Sequence, residues 1–371
     1  MRPVYLDNNA TTQPDPRVAA AMVPTLTETF GNAHSQHRHG REAMALVDAA
    51  RGDVAAVLGA DPRDVVFTSG ATEAINAVLA GVPTDRPEVV VSAVEHSAVH
   101  EAARNGRWTV RECPVLSDGT VDLVALRGLV GPRTGLVCVM HANNEIGTIQ
   151  PVAEVAQIAH NAGALFLCDA CQSFGKVPVP RGPDYIVASA HKLHGPKGVG
   201  MLWSRSGVHP APFMRGGSQE NGERAGTLNV PGIVGFGMAA RLARLNAGEC
   251  DRIARLRDDL WARIRAGFPA ARLNGPEGPR RLPSNLSVYL PGVCPLALAE
   301  ILAPVVSCSA ASACKAGAHT SHVLRAIGAP DPTTGATVRL GLGRFTTPAD
   351  VEVAAHVLTA ASRSLAGVGC G

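Results

Sequence analysis

Short runs of aliphatic and β-branched residues alternate with segments of helical periodicity through the middle of the chain. The apolar runs predict strands at Val65–Phe67, Val89–Val91, Leu136–Met140, Leu165–Leu167, Tyr185–Ala188 and Val199–Trp203. The periodicity between them predicts helices at Glu73–Leu79 and Val152–Asn161. Strands that alternate with helices form a mainly parallel sheet with helices on both faces, so the pattern predicts an α/β fold.

The last third of the chain has a different pattern. A segment with charged spacing, Cys250–Phe268, predicts a long helix that leads into a second unit. Behind it the pattern predicts strands at Leu286–Leu290 and Val338–Leu342 and helices at Leu296–Leu302 and from Ala349 onward. We therefore expect a large α/β domain over residues 15–250. A smaller α+β domain would combine residues 1–14 with residues 251–371.

Composition excludes several classes of function. The 371 residues are 46% hydrophobic and carry a net charge of +3, which is typical of an ordinary globular protein. This balance, and the lack of a Lys/Arg block, argue against direct binding of nucleic acid. The chain has no run of about 18 apolar residues, so we expect no membrane span. Its first residues turn polar at once, unlike a secretory signal, and we expect a cytoplasmic protein.

Asp169 and Lys192 each follow a predicted hydrophobic strand. The carboxyl ends of parallel strands border the ligand crevice of an open α/β sheet, so we expect both side chains to face one crevice. Pyridoxal 5′-phosphate (PLP) needs such a pair, a lysine for its covalent link and an acid for its pyridine nitrogen. Between a strand and a helix, Thr68–Glu73 offers backbone N–H groups and Thr72 for a phosphate. Together these features predict a PLP site.

Two cysteines near the C-terminus pose a second question. Cys308 and Cys314 lie in a stretch of small and polar residues that predicts a loop. From the residues alone, one could be a nucleophile, the two could form a metal site or a disulfide, or both could be inert thiols. Cys308 lies closer to a hydrophobic stretch and is expected to be half-buried.

Motifs that carry a resemblance to a known family are spread over nearly the whole chain. They are Tyr5–Thr12, Phe67–Glu73, Glu95–His96, His141–Gly147, Asp169–Gln172, Ser189–Lys192, Gly195–Gly198, Arg224–Thr227, Ser312–Cys314 and Val338–Phe345. With them, the sequence resembles the class V aminotransferases, and within these the cysteine desulfurases of the NifS/IscS type. The resemblance implies a PLP-dependent transferase of fold type I.

The resemblance also implies roles for the matching residues around the cofactor. Lys192 would hold PLP and move the Cα proton of the substrate, and Asp169 would pair with the pyridine nitrogen. His96 would stack on the ring and act as an acid or base near the substrate thiol. Gln172 and Asn144 would hydrogen-bond the phenolic oxygen of the cofactor or the substrate. The phosphate would be held by Ala71, Thr72, Ser189 and His191.

Two further residues extend this expected site. Thr227 would reach the phosphate from the neighbouring subunit, which implies a homodimer with shared active sites. Arg339 would bind the substrate carboxylate as a fork. Family members commonly have a serine two residues after this arginine, where this chain has Gly341.

By the same resemblance, Cys314 is the nucleophile, which makes Cys314, Lys192 and His96 the expected catalytic residues. The reaction would convert L-cysteine to L-alanine and leave a persulfide on Cys314. The sulfur would then pass to an acceptor protein such as an iron–sulfur scaffold, or into another thio-cofactor or sulfur-modification pathway. Lys315, which follows the nucleophile, could lower the thiol pKa, dock an acidic acceptor or be a solvated side chain.

Alternatives remain open at this level. A selenocysteine lyase, or another PLP-dependent β-lyase, would keep the cofactor and dispense with Cys314. A non-catalytic sulfur-transfer scaffold would need neither. Cys168 and Cys171 have a redox-type spacing, but we expect a buried strand residue and a pocket neighbour.

A cluster of histidines, His34, His37 and His39, has no cysteine beside it to complete a zinc site. We expect a polar loop there and no metal.

Overall fold

The computed structural model describes residues 3–246, 248–310 and 321–366. Within these ranges the strands are β1 Val4–Tyr5, β2 Val65–Thr68, β3 Glu88–Ser92, β4 Thr109–Cys113, β5 Thr134–Cys138, β6 Leu165–Asp169, β7 Tyr185–Ser189, β8 Gly200–Ser204, β9 Arg272–Leu273, β10 Asn285–Pro291, β11 Val306–Ser307, β12 Ser309–Ala310 and β13 Gly335–Gly341. The α-helices are α1 Pro16–Met22, α2 Pro24–Thr27, α3 Arg38–Leu58, α4 Ala71–Gly81, α5 Ser97–Arg104, α6 Leu123–Leu129, α7 Val152–Asn161, α8 Val230–Leu245, α9 Glu249–Gly267, α10 Pro295–Leu302, α11 His322–Ala326 and α12 Pro348–Leu365. Cys314 and Lys315 lie outside the described residues.

A seven-stranded sheet in the order β2-β8-β7-β6-β5-β3-β4 forms the centre of the fold. From β7 to β4, every neighbouring pair is parallel. The exception is β8, which runs antiparallel to both β2 and β7. The predicted mainly parallel α/β sheet is therefore confirmed, while the direction of β8 carried no signal in the sequence.

Both faces of this sheet are covered by helices. Val90 of β3 packs in one hydrophobic cluster with Val47 of α3 and Phe236 of α8. Its neighbours Val89 and Val91 belong to a second cluster, with α4 and α5. Because successive side chains of a strand point to opposite faces, burial on both faces explains the continuous apolar runs of the sequence.

A second, antiparallel sheet has the order β12-β13-β10-β9. Helices α9, α10 and α12 pack on it in a separate cluster that contains Leu260, Leu298 and Leu358. Val4 and Leu6 belong to this cluster too, because β1 pairs in parallel with β11. The segment that follows Leu6 is thereby carried from the second sheet towards the carboxyl ends of the central strands.

The sequence prediction missed several elements, among them α1, α5, α6 and the 16-residue α8, and three differences have a physical explanation. The strand expected at Leu136–Met140 is β5, Thr134–Cys138, because the last two residues are buried in a connection rather than paired as a strand. Strand β4 was not predicted, since it lies at the sheet edge and exposes most of its side chains. Helix α3 was also missed, because its buried stripe is rich in alanine.

No helix in the described part of the chain combines the length and hydrophobicity needed to cross a membrane.

Candidate active site

Lys192 is the last residue of a short 3₁₀ turn that follows β7. Its Nζ donates hydrogen bonds to the carbonyl oxygens of Asn9 and Ala10, each at 2.7 Å. Burial lowers the pKa of Lys192. The amine is therefore held at a fixed place beside the N-terminal segment, and it gives up its proton more readily than an exposed lysine does.

Asp169 is the last residue of β6, next to β7 in the sheet. Its side chain is buried at 6% exposure, and Oδ1 accepts a hydrogen bond from the Cys171 N–H at 2.8 Å. Parallel pairing of β6 with β7 brings Asp169 and Lys192 to the same edge of the sheet. This is the shared crevice that the sequence predicted.

The start of α4 forms a turn that is suited to an anion. The Ala71 N–H donates to Ser189 Oγ at 2.8 Å, which ties the helix start to the end of β7. A Cβ at Gly200 would lie 2.6 Å from the Cα of Gly70, so only glycine allows this close approach. Backbone N–H groups at the start of an 11-residue helix, with the hydroxyl of Thr72, provide donors for a phosphate.

His191 lies beside this turn. Its Nδ1 is 3.1 Å from Thr11 Oγ1. Burial, reinforced by the positive charge of Lys192, lowers the pKa of His191 to about 4. At neutral pH the ring is therefore uncharged and acts as a hydrogen-bonding group.

His96 precedes α5 and caps it. Its Nδ1 accepts the Ala98 N–H at 3.1 Å, so the proton of the neutral ring is on Nε2. The side chain is otherwise exposed at the mouth of the crevice. This cap holds the imidazole at the crevice, which His96 lines, and leaves Nε2 as its free donor.

Side-chain amides line the floor of the crevice. Gln172 Nε2 donates to the carbonyl of Asn9 at 2.9 Å, and Asn9 Nδ2 donates to the carbonyl of Asn144 at 3.2 Å. Among the described residues, Gln172 Oε1 and Asn9 Oδ1 are buried without a hydrogen-bond partner. Two amide oxygens are therefore available as acceptors for a donor on a polar ligand.

Arg339 lies on β13 at the far wall. Its Nη2 donates to Ser309 Oγ at 2.7 Å and to Asp7 Oδ1 at 3.1 Å, while Nη1 lies 3.4 Å from the carbonyl of Asn144. Gly341, two residues on, has no room for the expected serine. A Cβ there would lie 2.7 Å from the backbone nitrogen of Asn9.

These groups surround one cavity of about 370 Å³. It brings together ten residues that the sequence singled out, Ala71, Thr72, His96, Asn144, Asp169, Gln172, Ser189, His191, Lys192 and Arg339. Thr227 is exposed and does not line the cavity of its own chain. The roles of these residues stay predictions.

Comparison with known proteins decides the family. The model of the class-V aminotransferases matches residues 4–353. The chain belongs to the class-V aminotransferase family. A cysteine desulfurase of Cereibacter sphaeroides is 44% identical to it over 96% of this chain and 95% of the relative. Members of this family depend on PLP.

Solved structures agree with this assignment. A NifS-like protein superposes with a TM-score of 0.87 and 36% identity over 98% of this chain and 99% of its own. The structure of SspA in complex with cysteine superposes with a TM-score of 0.77 and 27% identity over 92% of this chain and 99% of its own. The predicted family, fold class and enzyme class are confirmed.

The residues present fit the cofactor of this family. The orphaned oxygens of Gln172 and Asn9, the glycine turn before α4, and the pair of Lys192 and Asp169 offer donors and acceptors around one space. A phosphorylated pyridine with a carbonyl, a phenolic oxygen and a ring nitrogen needs this combination of groups.

Sequence reasoning missed part of the site. It gave no role to Asp7, Asn9, Ala10 or Ser309, which contact Lys192 or Arg339 directly. A signal was available, since the polar residues from Asp7 onward follow directly on an apolar run. It was weak because the acceptors for Lys192 are backbone carbonyls, which no side chain encodes.

The other cysteine and histidine motifs have structural roles. Cys168 is buried in β6, and Cys171 lines the cavity, as predicted. Burial raises the pKa of both thiols. Cys308 is half-buried, as predicted, and burial raises its pKa to about 11. His37 caps α3 by accepting the Gly40 N–H at 3.2 Å.

In the described part of the chain, no three histidine, cysteine, aspartate or glutamate side chains are arranged to share a metal ion.

Proposed function

We propose that the chain removes sulfur from L-cysteine with PLP as cofactor, releases L-alanine and carries the sulfur as a persulfide on Cys314. One observation carries this proposal: Lys192, Asp169, His96 and Arg339, which lie far apart in the sequence, line the same cavity. The SspA structure with cysteine, a relative of similar fold, supports this substrate.

Different residues of the cavity would hold different parts of the cofactor. Lys192 would hold its carbonyl carbon, Asp169 its ring nitrogen and Gln172 its phenolic oxygen. The start of α4, with Thr72, Ser189 and His191, would hold its phosphate. When bound, PLP draws electrons from the α-carbon of an amino acid, which makes the Cα proton acidic.

The chain supplies the proton transfers. Lys192 is the base for the Cα proton, because burial lowers its pKa and favours the neutral amine. His96 lines the cavity and is capped through Nδ1, so its Nε2 would act on a proton at the substrate sulfur. Arg339 orients the substrate through its carboxylate.

The sulfur transfer then balances without an external oxidant. The thiolate of Cys314 attacks the sulfur of L-cysteine, an S–S bond forms, and the C–S bond of the substrate breaks. The electron pair of that bond remains on carbon and is protonated, so L-alanine leaves and the persulfide stays on the protein.

The test is mass spectrometry of the holoenzyme after treatment with L-cysteine, together with an assay for alanine. We expect one added sulfur on Cys314 in the wild type. Cys308→Ser is the matched control and should keep both the added sulfur and alanine release. Cys314→Ser should lose both. Full alanine release by Cys314→Ser would refute the persulfide route and favour a β-lyase or a selenocysteine lyase.

We also propose a homodimer in which Thr227 completes the phosphate site of the neighbouring subunit. A groove of about 700 Å³ adjoins the cofactor cavity, and Thr72, His96 and the exposed Phe213 line it. A second subunit on this groove would cover the apolar surface beside the cofactor. Analytical ultracentrifugation tests the dimer. Thr227→Val should weaken retention of PLP and leave the dimer intact.

The remaining features of the proposal rest on the sequence. The large domain would span residues 15–250 and the small domain residues 1–14 and 251–371, in line with the separate hydrophobic clusters of the two sheets. We propose a cytoplasmic enzyme that passes its sulfur to an acceptor protein, such as an iron–sulfur scaffold.

A further inference from the structure

Arg339 stands in the middle of a row of polar residues across three strands. In the register of the second sheet it is paired with Ser309 of β12 on one side and with Ser287 of β10 on the other. Both serines could in principle contact the guanidinium. Only Ser309 does so, whereas Ser287 Oγ accepts a hydrogen bond from Asn274 Nδ2 at 3.2 Å.

Asp7 closes a network with Ser309 and Arg339. Ser309 Oγ accepts from Arg339 Nη2 at 2.7 Å and donates to Asp7 Oδ1 at 2.7 Å. Asp7 Oδ1 also accepts from the same Nη2 at 3.1 Å. A backbone β-bridge between Asp7 and Gly341 places Asp7 beside β13. The three side chains therefore hold one another through a single nitrogen of the guanidinium.

This arrangement leaves two of the five donors of Arg339 without an acceptor among the described residues. Nε is buried and has no partner in the described part of the chain. Nη1 has only the long contact to the Asn144 carbonyl at 3.4 Å. A guanidinium carries five N–H donors, so Nε and the second N–H of Nη1 are left without an acceptor in the described part of the chain, and we assign them to a ligand carboxylate.

A second cavity offers Arg339 an alternative position. Arg339 lines the cofactor cavity on one side and a cavity of about 200 Å³ on the other. Glu145 lines the second cavity and offers a competing carboxylate there, with Oε2 2.6 Å from Ser321 Oγ. An unrestrained arginine side chain has many rotamers, and some would turn the guanidinium towards Glu145.

We propose that Asp7 and Ser309 are positioning residues that keep Arg339 at the cofactor cavity, and that they thereby set the preference for substrates with a free α-carboxylate. This inference rests on the proposed function, in which Arg339 binds that carboxylate. The network acts through Arg339, and neither Asp7 nor Ser309 needs to touch the substrate.

The experiment compares L-cysteine with L-cysteinamide, which lacks the carboxylate, in the PLP-loaded enzyme. The readout is kcat/KM for L-cysteine divided by kcat/KM for L-cysteinamide. Loss of one hydrogen bond to a charged group should lower this ratio about tenfold in Ser309→Ala, mainly through KM for L-cysteine. The matched control is Ser287→Ala, which truncates the other neighbour of Arg339 and should leave the ratio unchanged.

Asp7→Asn is the second variant, because it keeps the shape of the side chain and removes its charge. It should also lower the ratio. The double variant Asp7→Asn/Ser309→Ala should lose less than the sum of the two single effects, since both residues act on the same nitrogen. Cofactor content and thermal unfolding are measured for every variant.

The outcomes separate this inference from the proposed function. A wild-type enzyme that makes no alanine from L-cysteine refutes the proposed function. An active wild type, with the same ratio in Ser309→Ala as in Ser287→Ala, overturns the positioning role alone. A ratio that rises in Asp7→Asn would mean that Asp7 competes with the substrate carboxylate, and it would overturn the inference as well.

Discussion

The Nζ of Lys192 lies 2.7 Å from the carbonyl oxygen of Asn9 and donates a hydrogen bond to it. The two residues are far apart in the sequence, one in the turn after β7 and the other in the segment that follows β1. A second bond, to the carbonyl of Ala10, is equally short. The N-terminal segment therefore holds the lysine through its backbone, where a side-chain substitution cannot remove the acceptor.

These hydrogen bonds give Lys192 a structural role that two substitutions can distinguish from its chemical role. Lys192→Ala should lose activity, and it should lower the free energy of unfolding of the apoprotein by about 1–3 kcal/mol, because the half-buried carbonyl of Ala10 loses its donor and the carbonyl of Asn9 keeps only Gln172. Lys192→Arg keeps a cationic donor at this place and should lose activity with a smaller loss of stability. Equal loss of stability in both variants would contradict the role of the hydrogen bonds. Chemical denaturation and an alanine assay provide the measurements.

The sequence predicts most of the fold for a physical reason. Central strands such as β3 are buried on both faces and are read directly as apolar runs. Edge strand β4 and the alanine-rich face of α3 lack that signal. The site divides in the same way. Side chains at strand ends, such as Asp169, are predictable, whereas backbone acceptors and the cross-strand contact of Ser309 with Arg339 require the register of the sheets.

Glu95 is a buried acid beside His96. Its Oε1 accepts the Met140 N–H at 2.7 Å, and burial raises its pKa well above the ordinary value, an effect that Asp169 reinforces. The folded protein therefore keeps a proton that the unfolded chain releases above about pH 4.3. Stability contributed by this group is present at low pH and is lost as the pH rises from there towards the raised pKa.

Glu95→Gln keeps an oxygen for the Met140 N–H and removes the group that must stay protonated. We expect the variant to unfold at higher denaturant concentration than the wild type at pH 8. The advantage should shrink as the pH is lowered to 4. A variant less stable than the wild type at pH 8 would show that Glu95 is ionised and paired. Urea titrations at several pH values provide the measurement.

A close backbone contact explains Gly341, at the position where the family resemblance predicts a serine. A Cβ there would lie 2.7 Å from the nitrogen of Asn9 and 3.0 Å from that of Asn8, and both are backbone atoms. Gly341→Ser should displace the segment that holds Lys192, lower the free energy of unfolding by about 1–3 kcal/mol and weaken retention of PLP.

Gly52→Ala is the control, since no atom lies within 4 Å of its added Cβ. In helix α3 this change should be neutral or stabilising by up to about 1 kcal/mol. Equal stability of Gly341→Ser and the wild type would contradict the steric argument.

His194 should contribute to destabilisation in acid. Its Nδ1–H donates to the carbonyl of Gln13 at 2.8 Å, and Nε2 lies 3.4 Å from the backbone N–H of Arg344, so both ring nitrogens have partners in the neutral form. Burial, followed by the charge of Arg344, lowers the pKa of His194 to about 4. An unfolded histidine binds a proton near pH 6.5, so the unfolded chain holds the extra proton between about pH 6.5 and 4. Stability is therefore lost as the pH falls through that window.

His194→Gln retains an amide donor and an acceptor and cannot take up this proton. Over that window the free energy of unfolding of the wild type should fall more steeply than that of the variant, by up to about 1.4 kcal/mol per pH unit for one proton. The two proteins are compared in the same cofactor state, by urea denaturation at half-unit steps of pH. Parallel curves would mean that His194 titrates alike in the folded and unfolded chains. A shallower curve for the variant, with unchanged stability above pH 7, would attribute this part of the acid sensitivity to the single buried ring.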